Sequence, residues 1–183
     1  MTYAVGDVGP GGGLVFLISD CLTYEMAPKT WSGSSEDTDL SRWCSNASTF
    51  LSGTFGTAIG TGAQNTVNME VCTSGPGLEA AVYVDVAGGY SDWFLPSKDE
   101  LNAMCYYSRN LSASPDPTET CYGGSGTAQD GTFAGGVYGF ASDYYWSSSQ
   151  VAYNSVWRQT FDSGDQKLSG MRYWHSARPI RVF

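Results

Sequence analysis

The chain has 183 residues, a length that predicts one large domain, or less favourably two small ones, with a core large enough to be stable without disulfides or metals. Its nine basic and eighteen acidic residues give a net charge of −9. This balance argues against nonspecific binding to nucleic acid or to an anionic membrane, because both need clustered Lys and Arg. Only 15% of residues are charged while Gly, Ser, Thr, Tyr and Trp are plentiful, as is typical of loop-rich extracellular or surface domains.

No apolar run approaches the ~20 residues that cross a bilayer, so we expect no membrane insertion. Met1 is followed by TYAVGD rather than by a basic region and an apolar core. We therefore expect the domain to be part of a longer chain.

Residues 5–18 predict a glycine-rich turn that leads into a first buried strand. A phosphate-binding loop would need a Lys-Ser/Thr ending or a Rossmann spacing followed by a helix, and neither is present. Residues 30–60 predict long loops held by Trp31, Trp43 and Phe55.

Three helical or ambiguous segments follow. Residues 62–72 predict a short helix, and residues 78–86 fit a helix or a strand equally well. Ser97 and Glu100 form a capping-box pattern, which predicts a helix from Lys98 to about Tyr107. This role accounts for the acidic residues of the first turn as caps rather than as a catalytic pair.

Five cysteines occupy positions 21, 44, 72, 105 and 121, with no metal-binding spacing such as C-x2-C. In an oxidising compartment they predict two disulfides and one free thiol. We expect Cys105 to pair with Cys121 across a polar insertion at 108–139. Cys44 has two candidate partners, Cys72 and Cys21.

The last third changes to strand patterns, in FASDYYWSSSQ, SVWRQTF and SARPIRVF, with a hairpin turn at 163–166. Trp146 and Trp157 are predicted core residues. In the closing strand, Ile180 and Val182 should face the core and Arg181 the other side.

Read in order, the segments GDVGPGGGLVF, IGTG, GGYSDWFLPSKDELNAM, YWSSSQ, VWRQTF and ARPIRVF resemble the C-terminal domain of the Legionella collagen-like adhesin. The resemblance covers nearly the whole chain. It implies an α+β domain of the fold shared by C-type lectins and formylglycine-generating enzymes, with one small twisted antiparallel sheet, two helices and long loops.

Members of that family include glycan-binding adhesin modules and the variable proteins of diversity-generating retroelements, in which adenine-directed mutagenesis rewrites codons of the last segment. The resemblance implies a constant scaffold at Tyr145, Trp146, Trp157, Gln159, Phe161, Gly164, Gln166, Arg178, Pro179 and Arg181. Lys167, Met171 and Trp174 cannot arise from an AAC or AAT codon by changes of adenine alone, so they should be scaffold or come from other codons.

The predicted ligand-binding face combines residues 151–155, 158–165 and 167–175. The residues expected to contact the ligand are Ala152, Tyr153, Asn154, Ser155, Arg158, Thr160, Asp162, Ser163, Asp165, Leu168, Arg172, Tyr173, Trp174 and His175. Tyr, Trp and Arg are enriched at interfaces because they give large contact area with few rotors to freeze. Trp174 is also expected to lie partly in the core.

Enzymatic activity is not expected. His175 is the sole histidine, and no serine lies in a G-x-S-x-G pattern. The formylglycine-generating enzymes use cysteines near the C-terminus, whereas the last cysteine here is Cys121. We expect no cofactor. Asp143, Asp162 and Asp165 match no calcium-binding motif, which leaves a structural calcium held partly by backbone carbonyls as the one metal still open.

These patterns predict a ligand-binding domain, displayed outside the cell, on a cell surface or on a virion, whose partner is a protein or a cell-surface glycan. The favoured interpretation is the variable protein of a diversity-generating retroelement. The alternative is a fixed glycan-binding adhesin module of a bacterial surface protein. The oligomeric state is not indicated by the sequence.

Overall fold

The computed structural model describes residues 2–34, 37, 41–46, 48, 50–109, 120–121 and 136–183. These residues form a small mixed α+β domain with three helices and two three-stranded antiparallel sheets. The elements are β1 Leu14–Ser19, β2 Leu22–Met26, α1 Gly62–Met69, α2 Pro76–Val82, α3 Lys98–Ser108, β3 Tyr144–Ala152, β4 Ser155–Thr160, β5 Gln166–Gly170 and β6 Ile180–Val182. The α+β class is confirmed, whereas the expectation of one sheet and two helices is wrong. Within the described residues, no helix is both long enough and apolar enough to span a bilayer.

The first sheet has the order β1-β2-β6, so the end of the chain pairs with the N-terminal hairpin. Met26 lies opposite Ile180 and Tyr24 opposite Val182. Arg181 points to the side opposite Ile180 and Val182, as predicted, but that side is covered as well, so Arg181 is buried and forms ion pairs with Glu25 and Asp92.

The glycine-rich turn before β1 wraps around a buried carboxylate of the protein itself. The backbone N–H groups of Gly11 and Gly13 donate to the two oxygens of Glu25 at 3.1 and 3.0 Å, and Arg181 donates to the same carboxylate at 2.8 Å. A Cβ on Gly13 would lie 2.7 Å from the carbonyl oxygen of Met26. The predicted turn and first strand are confirmed, and the glycines allow this close approach.

Helix α3 begins with the predicted capping box. The Ser97 hydroxyl accepts from the N–H of Glu100 at 3.3 Å, and the Glu100 carboxylate accepts from the N–H of Ser97 at 2.7 Å. The helix predicted at 62–72 is present as α1. The ambiguous segment at 78–86 begins within helix α2, whose first residue is Pro76.

Two disulfides link these elements. Cys105 pairs with Cys121, as predicted, and Cys44 pairs with Cys72. Cys21 is the exposed free cysteine. Most of the predicted polar insertion at 108–139 lies outside the described residues.

The second sheet, β3-β4-β5, carries most of the predicted face. Strands β4 and β5 are joined through residues 161–165, which overlap the predicted turn at 163–166. Trp146 is fully buried, as predicted. Trp157 is only half-buried, contrary to its assignment to the core, and the Lys98 ammonium lies 5.5 Å from the centre of its ring.

Candidate ligand-binding face

Most of the predicted face residues lie near one of the two ends of strand β4. At its start, the β3–β4 turn meets the segment after β5 through a hydrogen bond from the N–H of Met171 to the carbonyl of Asn154 at 3.1 Å. At its end lies the turn at 161–165. With about 3.3 Å per residue, the ends of this strand are roughly 17 Å apart, so the two groups form separate parts of the surface.

We call residues 152–154 and 172–174 the aromatic tip. Solvent reaches 68% of Tyr153, 50% of Tyr173 and 56% of Trp174. The expectation that Trp174 lies partly in the core is therefore wrong. The other three side chains of the tip are exposed as well, so the tip combines rigid aromatic anchors with small and polar neighbours, as binding surfaces do.

A loop from the first half of the chain extends the aromatic tip. The ring centroid of Phe50 lies 5.0 Å from those of both Phe55 and Tyr153, and all three rings are exposed. The guanidinium of Arg42 lies 5.5 Å from the centre of the Trp174 ring. Phe55 therefore contributes to this surface, although it was predicted to hold a loop in place. Arg42 and Phe50 are absent from the predicted set, because nothing in their local sequence indicates which distant turn they meet.

Backbone pairing and buried tryptophans hold this loop against the tip. Ser41 and His175 exchange backbone hydrogen bonds at 3.1 and 3.2 Å, and the N–H of Trp43 donates to the carbonyl of Met171 at 3.2 Å. The indole N–H of the buried Trp146 donates to the Ser41 carbonyl at 2.8 Å. The exposed rings are therefore held in place by hydrogen-bonded, close-packed residues beneath them.

A hollow of about 200 Å³ opens between the loop and the tip. Its lining residues are Ser48, Asn154, Gly170, Met171, Arg172 and Tyr173. Enclosed small-molecule sites usually occupy about 300–1,000 Å³. This surface therefore suits a broad contact, or a single protruding group, better than an enclosed small ligand.

Three arginines on this side of the domain form no ion pair among the described residues: Arg42, Arg158 and Arg172. Arg172 and Arg158 lie 5.2 and 3.3 Å from the ring centres of Tyr173 and Tyr144. The Nε of Arg158 is buried and has no hydrogen-bond partner. The face therefore carries unneutralised positive charge within an acidic domain.

The predicted contact residues differ in burial. Exposed members are Ala152, Tyr153, Asn154, Asp162, Ser163, Leu168, Arg172, Tyr173 and Trp174; Ser155, Arg158 and Asp165 are half-buried; Thr160 and His175 are buried. The hydroxyl of Thr160 bonds to that of Ser163 at 2.7 Å inside the β4–β5 turn. This side chain therefore supports the turn.

His175 is only 7% exposed, and its ring centroid lies 4.3 Å from that of Trp146. Its Nε2 shares a hydrogen bond of 2.9 Å with the Ser169 hydroxyl. Burial, together with the nearby charge of Arg158, lowers the pKa of His175 to about 4. The histidine is therefore neutral at pH 7 and lies beneath the surface formed by its neighbours.

Leu168 and Arg158, both predicted contacts, point to opposite faces of the sheet. It lies opposite Trp157 in the register of β4 and β5, whereas Arg158 lies opposite Lys167. Because successive strand residues face opposite sides of a sheet, Leu168 and Arg158 occupy different faces. Leu168 therefore shares the side of the half-buried Trp157.

The β4–β5 turn forms a small polar site of its own. Asp162 accepts from the N–H of Ser163 at 2.7 Å and from the Ser142 hydroxyl at 3.1 Å. Asp165 forms an ion pair with Lys167. Within the described chain, no group of three or more His, Cys, Asp or Glu side chains converges on a point where a metal ion could bind.

The pair of Ser169 and His175 has the contact distance of a nucleophile and its base. A histidine whose pKa is about 4 is a weak proton acceptor at neutral pH. No described carboxylate hydrogen-bonds to its ring to orient it.

Burial also differs between the positions that the resemblance assigns to scaffold and the positions between them. Tyr145, Trp146, Gln159, Phe161 and Arg178 are fully buried. Of the three residues that adenine changes cannot produce, Met171 is fully buried, whereas Lys167 and Trp174 are exposed.

No protein-family model matches the chain, and no curated protein matches it.

Proposed function

We propose that this domain is a non-enzymatic ligand-binding module whose contact surface is the aromatic tip with Arg42, Phe50 and Phe55. The observation that carries the proposal is the exposure of Tyr153, Tyr173 and Trp174 on a base of buried, hydrogen-bonded residues. Large exposed apolar patches on soluble domains mark interaction sites. The C-type-lectin-like fold belongs to this proposal and rests on the motif resemblance.

The ligand is a protein or a cell-surface glycan that presents negative or hydrogen-bonding groups to the arginines. Disulfides form and persist in oxidising compartments, which supports display outside the cell, on its surface or on a virion. The chemistry of Ser169 and His175 supports binding rather than catalysis, for the reasons given above.

We further propose that the domain is the variable protein of a diversity-generating retroelement. The exposure of the tip supports this second proposal, because residues that are exchanged must not be needed for packing of the core. Met171 then belongs to the scaffold and is buried accordingly, while Lys167 and Trp174 come from codons outside the diversified set. The alternative, a fixed glycan-binding adhesin module, gains support from the hydroxyl, amide and guanidinium groups that line the hollow beside Tyr173.

The test is to screen the purified domain on a glycan array and on an array of bacterial and host surface proteins. We expect specific binding that is lost when Tyr153, Tyr173 and Trp174 are all changed to Ser. The matched control changes three exposed valines elsewhere, Val8, Val71 and Val86, to Ser and should leave binding intact. Equal loss in the control, or binding that survives the triple change, would contradict the proposed surface.

The non-enzymatic assignment has a separate test. Hydrolysis of an activated ester should proceed at the same slow rate with the wild type and with Ser169→Ala. A burst of product that disappears with Ser169→Ala and with His175→Ala would show that the pair is a catalytic dyad.

A further inference from the structure

A second hollow, of about 410 Å³, lies beside helix α2 and shares no lining residue with the aromatic tip. It is lined by Trp31, Ser32, Glu79, Val82 and Tyr83. Its volume falls within the range of small-molecule sites. Two aromatic rings, an aliphatic side chain, one hydroxyl and one carboxylate therefore meet around a space large enough for a ligand.

The two rings form a fixed corner. The ring centroids of Trp31 and Tyr83 are 5.8 Å apart, and the ring planes meet at 80°. The indole N–H of Trp31 donates to Asp37 at 3.1 Å and to the carbonyl of Ala177 at 3.0 Å, which ties this ring to the core. Tyr83 also packs against Trp93, with centroids 5.2 Å apart.

The surroundings of the corner are negatively charged. Glu79 contributes a carboxylate to the wall, and none of the five lining residues is basic. Behind Tyr83, the buried Asp85 forms no ion pair among the described residues. Its oxygens accept from the backbone N–H groups of Gly88 and Tyr90 and from the indole of Trp93.

The pKa values of Asp85 and Tyr83 are consistent with a negative charge near the corner at neutral pH. Burial pushes the pKa of Asp85 upward, but the hydrogen bonds from Gly88, Trp93 and Tyr90 outweigh it and lower that pKa below the usual value. Burial, assisted by the charge of Asp85, raises the pKa of Tyr83 to about 12. At neutral pH the corner therefore has an uncharged phenol in front of an ionised carboxylate.

We propose that this hollow binds a compact organic cation, namely a quaternary ammonium group such as the trimethylammonium head of choline. Aromatic rings attract cations through their electron-rich faces. A primary ammonium carries three N–H groups that each need an acceptor, whereas a quaternary ammonium carries none. The largely apolar lining therefore matches the quaternary group.

The test is a titration of the domain with choline chloride, followed by tryptophan fluorescence and by NMR, beside the same titration with 3,3-dimethylbutan-1-ol. This alcohol has the shape of choline without its charge. We expect the alcohol to bind at least about ten-fold more weakly, since the attraction requires charge. Equal affinity for the two compounds, or the absence of saturable choline binding, would overturn the proposal.

Variants locate the site. Tyr83→Leu should weaken choline binding by about ten-fold or more, while Tyr83→Phe keeps the ring and should retain it. Glu79→Gln should weaken binding, whereas Glu70→Gln removes the same charge from an exposed helix end and should not. Thermal melts show which variants are folded. If Tyr83→Leu fails to fold, equal choline affinity in the two glutamate variants would still overturn the proposal.

Two further arms separate the sources of the ligand group. Binding of N-trimethyl-lysine amide without sedimentation on phosphatidylcholine vesicles indicates a soluble or protein-borne cation. Sedimentation that Tyr83→Leu abolishes indicates the lipid headgroup. Sedimentation that survives Tyr83→Leu contradicts this hollow as the site. The outcome is independent of the aromatic tip, because the two surfaces share no residue.

Discussion

His175 is the residue that holds the tip segment against the second sheet. Its ring packs against the rings of Trp146 and Tyr144 in tilted and edge-on arrangements and bonds to Ser169, while its backbone pairs with that of Ser41. The sequence places it among polar and aromatic residues with no period, so its burial could not be read from the pattern. Because its sequence neighbours are the kind that bind ligands, His175 was predicted to contact the ligand. Its packing shows that it stabilises the segment that carries them.

This burial predicts a dependence of stability on pH. The pKa of His175 is about 4 in the folded domain and 6.5 when unfolded, so only the unfolded chain gains a proton as the pH falls through this interval. Stability should therefore be complete above pH ~6.5 and decline by roughly 2–3 kcal/mol towards pH ~4.

The measurement is urea unfolding of the wild type and His175→Gln at pH 7 and pH 4.5. Glutamine can keep a hydrogen bond to Ser169 but does not titrate in this range. The wild type should lose more stability than the variant between the two conditions. An identical loss in both proteins would show that His175 does not titrate in the way described.

Glu25 is the second residue whose role depends on distant partners. It is fully buried and neutralises Arg181, while two glycine N–H groups occupy its oxygens. Glu25→Gln should lower the free energy of unfolding by about 3 kcal/mol, because it leaves a buried guanidinium without this partner. Chemical denaturation checks this against Glu70→Gln, an exposed control that should change stability by about 0.5 kcal/mol or less. Similar stabilities for the two variants would contradict the buried ion pair.

Some helices and strands could be predicted from local sequence signals, whereas the pairing of others could not. The capping box of α3 lies within four residues, so Ser97 and Glu100 predicted the start of the helix. The partner of β6 was not predictable, because its pairing with Met26 depends on more than 150 intervening residues and strand patterns do not name their neighbours. The ion pair between Arg181 and Asp92 could not be predicted for the same reason, since the two residues are distant in sequence.

The disulfide between Cys44 and Cys72 joins the loop that carries Arg42 and Phe50 to the segment just after α1, and both residues belong to the proposed contact surface. It closes a segment with a sequence separation of 28 residues. Replacing both cysteines by Ser should lower stability by roughly 3–4 kcal/mol, through the entropy that the open loop regains on unfolding. It should also increase hydrogen exchange in residues 41–46.

The measurements are denaturant unfolding under non-reducing conditions and hydrogen exchange followed by mass spectrometry. Cys21→Ser is the matched control, because this thiol is exposed and unpaired. A double variant as stable as Cys21→Ser would show that the cross-link contributes nothing to the fold or to the surface.

At the scale of the whole molecule, the domain consists of a buried scaffold and an exposed aromatic tip. The sequence predicted the tip residues that follow β3 and β5, since Tyr153, Tyr173 and Asn154 lie between scaffold motifs. It did not indicate Arg42, Phe50 or Phe55, which reach the tip only through the fold. For the same reason it placed Leu168 with the face, although the strand register turns this side chain to the other side of the sheet.

The distribution of charge has a consequence for binding. The chain has a net charge of −9, yet Arg42, Arg158 and Arg172 form no ion pair among the described residues. We therefore expect negatively charged groups to be attracted more to the side that carries these arginines than to the rest of the surface. Electrostatic attraction of this kind weakens with added salt.

The central claim is that exposed tip residues exchange on a constant frame, and it is tested most directly by sequencing natural copies of the coding segment with the DNA beside them. We predict replacements concentrated at the exposed positions of the β4–β5 turn and of the tip other than Trp174, with Trp146, Gln159, Met171 and Arg178 constant. A near-copy of the segment, differing only at adenines, should lie close to a gene for a reverse transcriptase. Replacements spread evenly over the scaffold and the aromatic tip, with no such near-copy, would contradict the claim.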